Sequence, residues 1–213
     1  MITVVGMGRT EGDITLKGAV ALKNAEIIIA KTSISSTFIY LEKFENVITL
    51  DDLYEKTDDF DTLNDLITEK VLSYQDKNTV YCVDGSGIDD YSVMMLKDKT
   101  DIKIINGISH DSYALNSFPS AGYTSLYATD FVNMRAFYPD SMTALIIKEI
   151  DNCFLAGDVK LRLLNLIGNT EIFYIIEDKV LKTTLSELDR QPEYDDTSMC
   201  IIPPQGNYDK ERY

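Results

Sequence analysis

Short apolar runs alternate with helically spaced apolar positions along the first half of the chain. The apolar runs predict strands at residues 2–6, 26–31, 46–50, 79–83 and 102–105. The spacing between them predicts helices at residues 15–25, 51–77 and 91–99. Short strands that alternate with helices are typical of a parallel sheet covered on both faces.

The longest of these predicted helices spans Asp51 to Lys77 and is rich in acidic residues. If the whole stretch is one amphipathic helix, its apolar positions share a single buried side. Those positions are Leu53, Phe60, Leu63, Leu66, Ile67 and Val71. We therefore expect a long helical stretch that buries these side chains on one side.

A small, turn-forming segment from Phe118 to Gly122 predicts a domain boundary. We place the N-terminal α/β domain at residues 1–118 and the C-terminal domain at 119–205. Strands at 144–150, 171–176 and 199–204, with a helix at 158–169 between the first two, predict a mixed α/β unit in the second domain. The polar residues 206–213 are typical of a linker.

Composition and charge narrow the class of protein. The chain has 213 residues, of which 45% are hydrophobic, so it is long enough for one large domain or two small ones. Its formal charge of −15 opposes binding modes that neutralise many phosphates, which argues against DNA and anionic membranes as partners. The sequence contains no apolar run near the roughly 20 residues that span a bilayer, and MITVVGMG does not resemble a signal peptide. We expect a cytoplasmic protein.

The residues that could bind a metal are scattered. Cys82, Cys153 and Cys200 are far apart and form no CxxC pair, so we expect three buried, hydrophobic cysteines rather than a disulfide or a zinc site. His110 is the only histidine and is assigned no chemistry. The acidic pairs at 51–52, 58–59 and 195–196 are typical of solvated faces. We predict no metal site.

Three loops follow predicted strands, at the edge of a parallel sheet where ligands usually bind. The first is GMGRTEGDIT (residues 6–15), the second is DGSG (84–87) and the third is NGIS (106–109). Their glycines permit either tight turns or close approach to a ligand. Asp13 or Thr15 could cap the first helix, and Ser109 could cap a helix that starts near His110. The first loop lacks the full GxGxxG dinucleotide fingerprint, because Glu11 stands where its last glycine would be.

Several segments, in order, resemble the tetrapyrrole methylase family, and most closely the methylase half of MazG fusion proteins. VVGMGRTEGDITLKGAVALKNAEIIIAKT (4–32) resembles the family's VGLGPGDPxxLTLxGxxALxxADxVxxRT, and LDDLYEKTDDFDTLND (50–65) resembles DDLYExAxDFExVY. TVYCVDGSG (79–87) stands in the place of VVYAVPGHP, and IINGISHDSYAL (104–115) in that of xxPGVSxxDAL. The DVKL motif (158–161) and the ELDR motif (187–190) are typical of the MazG branch.

The resemblance implies an α/β fold of two domains, with S-adenosyl-L-methionine (SAM) held in a cleft between them. It implies a homodimer and, after residue 213, a fused MazG domain. Position by position, it assigns the cofactor contacts to Gly8, Arg9, Asp84, Gly85, Ser86, Gly87, Asp89, Ser109, His110 and Lys148. It identifies no catalytic residue.

The chain departs from the family pattern at its loop prolines. Arg9, Asp84, Gly87 and Asn106 stand where the family has proline. Because proline fixes φ, its loss predicts more mobile loops and weaker SAM binding. Asp84 could offset this by pairing with the cationic groups of SAM, or it could mark a site that has drifted.

These residues leave three functions open. The first is a SAM-dependent methyltransferase that acts on a small molecule or a peptide, which the resemblance favours. The second is a non-catalytic module that dimerises and regulates an attached MazG nucleoside triphosphate pyrophosphohydrolase. The third is a dinucleotide-dependent oxidoreductase. Separately from function, Asp158, Lys160 and the segment 187–190 could form charged pairs at an interface between domains, where exposed pairs contribute only about 0–1 kcal/mol.

Overall fold

The structure is a computed structural model, and it describes residues 1–57, 59–118, 120, 122–176, 179–195 and 197–205. The chain divides into two compact units, Met1–His110 and Asp111–Tyr213. Pro119 and Ala121 of the predicted boundary segment, Asp58 and Asp196 of the acidic pairs, and the predicted linker 206–213 lie outside the described residues.

The first unit contains a five-stranded parallel sheet. Its strands are β1 (Ile2–Gly6), β2 (Ile27–Ala30), β3 (Val47–Thr49), β4 (Thr79–Val83) and β5 (Ile102–Ile105), in the order β3-β2-β4-β1-β5. Its helices are α1 (Leu16–Lys23), α2 (Asp51–Tyr54), α3 (Phe60–Leu72) and α4 (Tyr91–Lys99), with a 3₁₀ helix at Ser36–Tyr40. The predicted strands and the parallel sheet are confirmed.

The strands of this sheet are apolar at successive positions because both of its faces are covered. Val4 packs in a core with Ile67 of α3 and Leu96 of α4. Its neighbour Val5 points to the other face and packs in a core with Leu22 of α1. Alternate residues of one strand thus enter two cores, which is the usual arrangement in a buried parallel sheet.

The predicted long helix from Asp51 to Lys77 is wrong as a single element. It is divided into α2 and α3, and a new N-cap forms where the Asp59 carboxylate accepts a hydrogen bond from the backbone N–H of Thr62 at 2.8 Å. Phe60, predicted to be buried, is 76% exposed because it is the first residue of α3 and lies off the apolar face. Leu53, Leu63, Ile67 and Val71 are buried as expected.

The second unit contains a mixed sheet. Its strands are β6 (Tyr123–Tyr127), β7 (Ala144–Lys148), β8 (Glu171–Ile176), β9 (Lys179–Thr184) and β10 (Met199–Ile202), in the order β6-β7-β10-β8-β9. Only the β6–β7 pair is parallel. Its helices are α5 (His110–Ser117), which begins at the last residue of the first unit, α6 (Ala128–Asn133), α7 (Cys153–Ile167) and a 3₁₀ helix at Leu185–Arg190. The mixed α/β unit is as predicted.

Strands β6 and β9 and helix α6 were not predicted from the sequence. Both strands lie at edges of the sheet, and β9 is exposed along almost its whole length. An exposed edge strand needs no apolar alternation, and lysines such as Lys179 and Lys182 are common there. Helix α6 is short, and its buried residues are Ala128 and Phe131.

The compact units divide between His110 and Asp111, whereas the turn-forming segment predicted a boundary after Phe118. The physical reason is the packing of α5. Its buried Ala114 lies in a core with Ile146 and Ile201 of the second sheet, and Phe118 stacks near Phe173 of β8. A helix that packs on the second sheet belongs to the second unit, whatever turn follows it.

The charged pair predicted at a domain interface lies inside the second unit. Lys160 of α7 forms a salt bridge and hydrogen bond with Asp189 of the 3₁₀ helix Leu185–Arg190. This contact holds the pKa of Asp189 below its ordinary value, chiefly through the hydrogen bond from the Lys160 ammonium. Arg190 pairs with Glu187 within the same short helix, and Asp158 is exposed.

The expectation of three buried cysteines is wrong for Cys153, which is exposed at the start of α7 just after the N-cap residue Asn152. Cys82 and Cys200 are buried, and burial raises the pKa of Cys82 far above its ordinary value and that of Cys200 to about 12.

We therefore expect iodoacetamide at pH 8 to alkylate Cys153 alone in the folded protein, because only a thiolate in contact with solvent reacts. Intact-mass spectrometry should give one added group in the native state and three in urea; rapid native labelling at Cys82 or Cys200 would contradict this burial.

Candidate functional site

The three loops singled out in the sequence meet at the carboxyl edge of the first sheet. They follow β1, β4 and β5, which are neighbours in that sheet. The first and second loops pair directly, because the N–H of Gly8 donates to the carbonyl of Gly85 at 3.1 Å and the N–H of Gly85 donates to that of Gly8 at 2.8 Å. The third loop joins them through the N–H of Gly107, which donates to the carbonyl of Ser86 at 3.3 Å.

Glycine is required here for contact between the loops. A Cβ atom at Gly6 would lie 2.5 Å from the backbone of Ser86 and Gly107, and one at Gly107 would lie 2.4 Å from the carbonyl oxygens of Gly6 and Gly85. Gly8, Gly85 and Gly87 also have positive φ, at 79°, 68° and 86°. Three loops are thereby joined into one platform of closely packed backbone.

The first loop is capped by its own carboxylate. Asp13 Oδ2 accepts hydrogen bonds at 3.0 Å from the backbone N–H groups of both Arg9 and Thr10. The following helix α1 is capped by Thr15, whose hydroxyl accepts from the N–H of Gly18 at 3.1 Å. In dinucleotide-binding loops, such N–H groups bind the pyrophosphate. Here an acidic side chain holds two of them.

The second loop is part of the connection from β4 to α4, residues 84–90, which we call the β4–α4 loop. At its start, Asp84 Oδ1 accepts hydrogen bonds from the hydroxyls of Ser35 at 2.8 Å and Thr37 at 2.6 Å. Within it, the hydroxyl of Ser86 donates to Asp89 at 2.7 Å. The carboxylate of Asp84 is thus engaged by two residues of the protein itself.

At the end of this loop, Asp90 forms a salt bridge with Lys31 at 2.7 Å. Burial acts to lower the pKa of Lys31, but Asp90 and other acidic groups nearby outweigh it, so the pKa lies above its ordinary value. Asp90 also caps α4 by accepting from the N–H and hydroxyl of Ser92, and that hydroxyl lies 2.8 Å from the hydroxyl of the fully buried Tyr81. Lys31 is therefore a fixed ammonium group at neutral pH.

His110, which only the family resemblance assigned as a cofactor contact, also lies at this edge. A Cβ atom at Gly85 would be 3.4 Å from Cε1 of the His110 ring, so the imidazole lies beside the β4–α4 loop. Ser109 directly precedes it, at the end of the third loop. The structure thus brings the first nine residues assigned as cofactor contacts to one edge of the first unit.

Lys148, the tenth assigned residue, lies in the second unit at the end of β7. Its side chain is 9% exposed and pairs with Asp111 at 3.3 Å. The ammonium also lies 4.5 Å from the centre of the Tyr127 ring, and the hydroxyl of Ser125 donates to the same Asp111 oxygen at 2.7 Å. These contacts give Lys148 a structural role within its own unit, and its assignment as a cofactor contact stays a prediction.

No family model matches the sequence. The chain is 24% identical over 218 residues to the uncharacterized protein YabN of Bacillus subtilis (strain 168). The aligned region covers 95% of this chain and 45% of YabN. The chain thus spans about half the length of the curated relative it matches.

Two solved structures share the architecture. A uroporphyrin-III C-methyltransferase from Thermus thermophilus superposes with a TM-score of 0.70 at 12% identity, over 96% of this chain and 94% of its own. A cobalt precorrin-4 methyltransferase of cobalamin biosynthesis superposes with a TM-score of 0.67 at 15% identity, over 94% and 93%. The chain has the tetrapyrrole methylase fold. At these identities the likeness establishes the fold and leaves the activity to be argued from the site.

Four residues that hold the ends of the β4–α4 loop were not predicted from the sequence: Lys31, Ser35, Thr37 and Asp90. A signal was available in KTSISST (residues 31–37), a run of hydroxyl side chains directly after a buried strand. The role of this run depends on a partner far along the chain, because Ser35 and Thr37 bind Asp84, which is 49 and 47 positions away.

In the part of the chain that the structure describes, no helix has the length and apolar character required to cross a membrane. Among the same described residues, the His, Cys, Asp and Glu side chains form no group of three or more that could hold a metal ion.

Proposed function

We propose that this protein is a SAM-dependent methyltransferase whose acceptor is a small molecule or a peptide. The observation that carries the proposal is the acidic β4–α4 loop, fixed on a glycine platform at the carboxyl edge of the sheet in a methylase fold. Ligands of open α/β sheets collect at this edge.

The residues of the loop suit the charge of SAM. The cofactor carries a positive sulfonium and a positive amino group, and the loop carries the carboxylates of Asp84 and Asp89, whereas the carboxylate of Asp90 is already paired with the Lys31 ammonium. The residues proposed to hold SAM are those assigned from the resemblance: Gly8, Arg9, Asp84, Gly85, Ser86, Gly87, Asp89, Ser109, His110 and Lys148.

SAM, when bound, supplies an already activated methyl group. The protein then has to bind the two reactants, align the acceptor with the methyl group and keep water away. A rigid loop platform serves alignment, because small displacements of the reactants are costly in rate.

The first loop argues against the dinucleotide oxidoreductase. A pyrophosphate at this position would compete with Asp13 for the N–H groups of Arg9 and Thr10, and it would meet the negative charge of that carboxylate. The same repulsion applies near Asp84 and Asp89. The loop chemistry therefore favours a cationic ligand over an anionic one.

Other expectations from the resemblance stay predictions. These are the homodimer, the fused MazG domain and the cytoplasmic location. The alternative of a non-catalytic regulatory module gains no support from the described residues.

The proposal is tested by calorimetric titration with SAM and S-adenosylhomocysteine, with NADH and ATP as controls. We expect both adenosyl ligands to bind with micromolar affinity, or about −8 kcal/mol, and the two anionic nucleotides to give no heat. Asp89→Asn should weaken SAM binding about fivefold, because it removes one charge of the loop. Asp98→Asn makes the same change at an exposed position of α4 and should have no effect. Absence of heat with both adenosyl ligands at millimolar concentration would refute the methyltransferase function.

A further inference from the structure

The β4–α4 loop is held at its start by a segment from a different part of the chain. Residues 31–37, which we call the hydroxyl-rich segment, follow β2. From this segment, Ser35 and Thr37 donate two hydrogen bonds to one oxygen of Asp84. Hydrogen bonds to an ionised carboxylate are among the stronger ones in proteins. Thr37 is only 4% exposed, so its hydroxyl is held by packing as well as by this bond.

The same segment holds the end of the loop. Lys31, the first residue of the segment, binds Asp90, the last residue of the loop, at 2.7 Å. Asp90 is itself fixed as the N-cap of α4 through Ser92. The loop is therefore attached to one segment at both of its ends, and the segment is anchored in turn by the buried Leu41 beyond it.

Between the two attachments, backbone hydrogen bonds join Gly85 to Gly8 and Ser86 to Gly107, but the sequence of the loop itself provides little stiffness. Gly85 and Gly87 both have positive φ, a conformation that glycine adopts freely and leaves freely. Such a sequence loses much conformational freedom when it is ordered. The loop also lacks prolines at positions 84 and 87, where the family that the sequence resembles has them.

We infer that the hydroxyl-rich segment positions the β4–α4 loop for its ligand, with Thr37 and Lys31 as positioning residues that act through Asp84 and Asp90. This inference rests on the proposed function for the identity of the ligand. In this protein, ion pairing and hydroxyl contacts to the ends of the loop perform the stiffening that proline performs elsewhere.

The test compares Thr37→Val, which keeps the size of the side chain and removes the hydroxyl, with Thr37→Ser, which keeps the hydroxyl. We expect Thr37→Val to weaken the binding of S-adenosylhomocysteine about tenfold, because one charge-assisted hydrogen bond to Asp84 is lost. Thr37→Ser should bind like the unmodified protein. At the other end of the loop, Lys31→Met should weaken binding while Lys31→Arg retains it.

Amide hydrogen exchange of residues 85–89 separates this inference from the proposed function. We expect exchange in the free protein to be about tenfold faster in Thr37→Val than in Thr37→Ser, because the loop opens more often. If the protein binds neither adenosyl ligand but shows this difference in exchange, the proposed function falls and the positioning of the loop stands. Equal exchange and equal affinity in the two variants would overturn the inference. If Thr37→Val does not fold, Ser35→Ala is measured in the same way, with the same two deciding outcomes.

Discussion

Gly107→Ala should weaken the binding of S-adenosylhomocysteine about a hundredfold and lower the free energy of unfolding of the first unit by about 3 kcal/mol. The added Cβ would lie 2.4 Å from the carbonyl oxygens of both Gly6 and Gly85. This is about 1 Å short of ordinary van der Waals contact, and the atoms in the way belong to the backbone. The backbone has no alternative rotamer, so the loops themselves must separate.

The measurement combines the calorimetric titration with urea denaturation followed by circular dichroism. Gly12→Ala is the matched control, because it makes the same change in the first loop, where the new Cβ would meet only the hydroxyl of Thr10 at 3.9 Å. Its affinity and stability should equal those of the unmodified protein. Equal behaviour of the two variants would show that the three loops are not packed as one platform.

Asp111→Asn should destabilise the second unit by about 2 kcal/mol. The substitution keeps an oxygen that can accept from Ser125 but removes the charge that faces the Lys148 ammonium. The side chain of Lys148 is 9% exposed and that of Asp111 is 18% exposed, so water compensates the lost ion pair only in part. Removing one partner of a fully buried pair costs about 3–5 kcal/mol, and the partial exposure of this pair reduces that cost.

Urea denaturation of Asp111→Asn, Lys148→Met and the double variant measures the coupling of the pair. We expect the double variant to be less destabilised than the sum of the single ones, because it no longer contains an unpaired buried charge. Glu171→Gln is the control, because it breaks the exposed pair between Glu171 and Lys182 in the same sheet. It should leave the midpoint of urea denaturation unchanged. Additive effects in the double variant would contradict an energetic contact between Asp111 and Lys148.

The predictions that held depend on neighbouring positions in the chain. The strands β1, β4 and β5 are short β-branched runs, and such runs indicate a buried strand wherever they occur. The glycine loops that follow these strands were predicted for the same reason, because a glycine-rich turn is also a local pattern of the sequence. Two of the predictions that were wrong, the burial of Phe60 and of Cys153, concern residues at the beginning of a helix, where periodicity alone does not fix which side faces the core.

The sequence by itself therefore determined the α/β class, the parallel sheet of the first unit and the location of the three loops at its carboxyl edge. It did so because hydrophobic periodicity and glycine turns are local properties of the chain. Only the tertiary structure decided that α5 packs on the second sheet, that Asp13 occupies the N–H groups of the first loop, and that Asp84 binds Ser35 and Thr37. The physical reason is that these contacts join distant parts of the chain: Ser35 and Thr37 are 49 and 47 residues from Asp84. The packing of a helix such as α5 likewise depends on which sheet covers its apolar side.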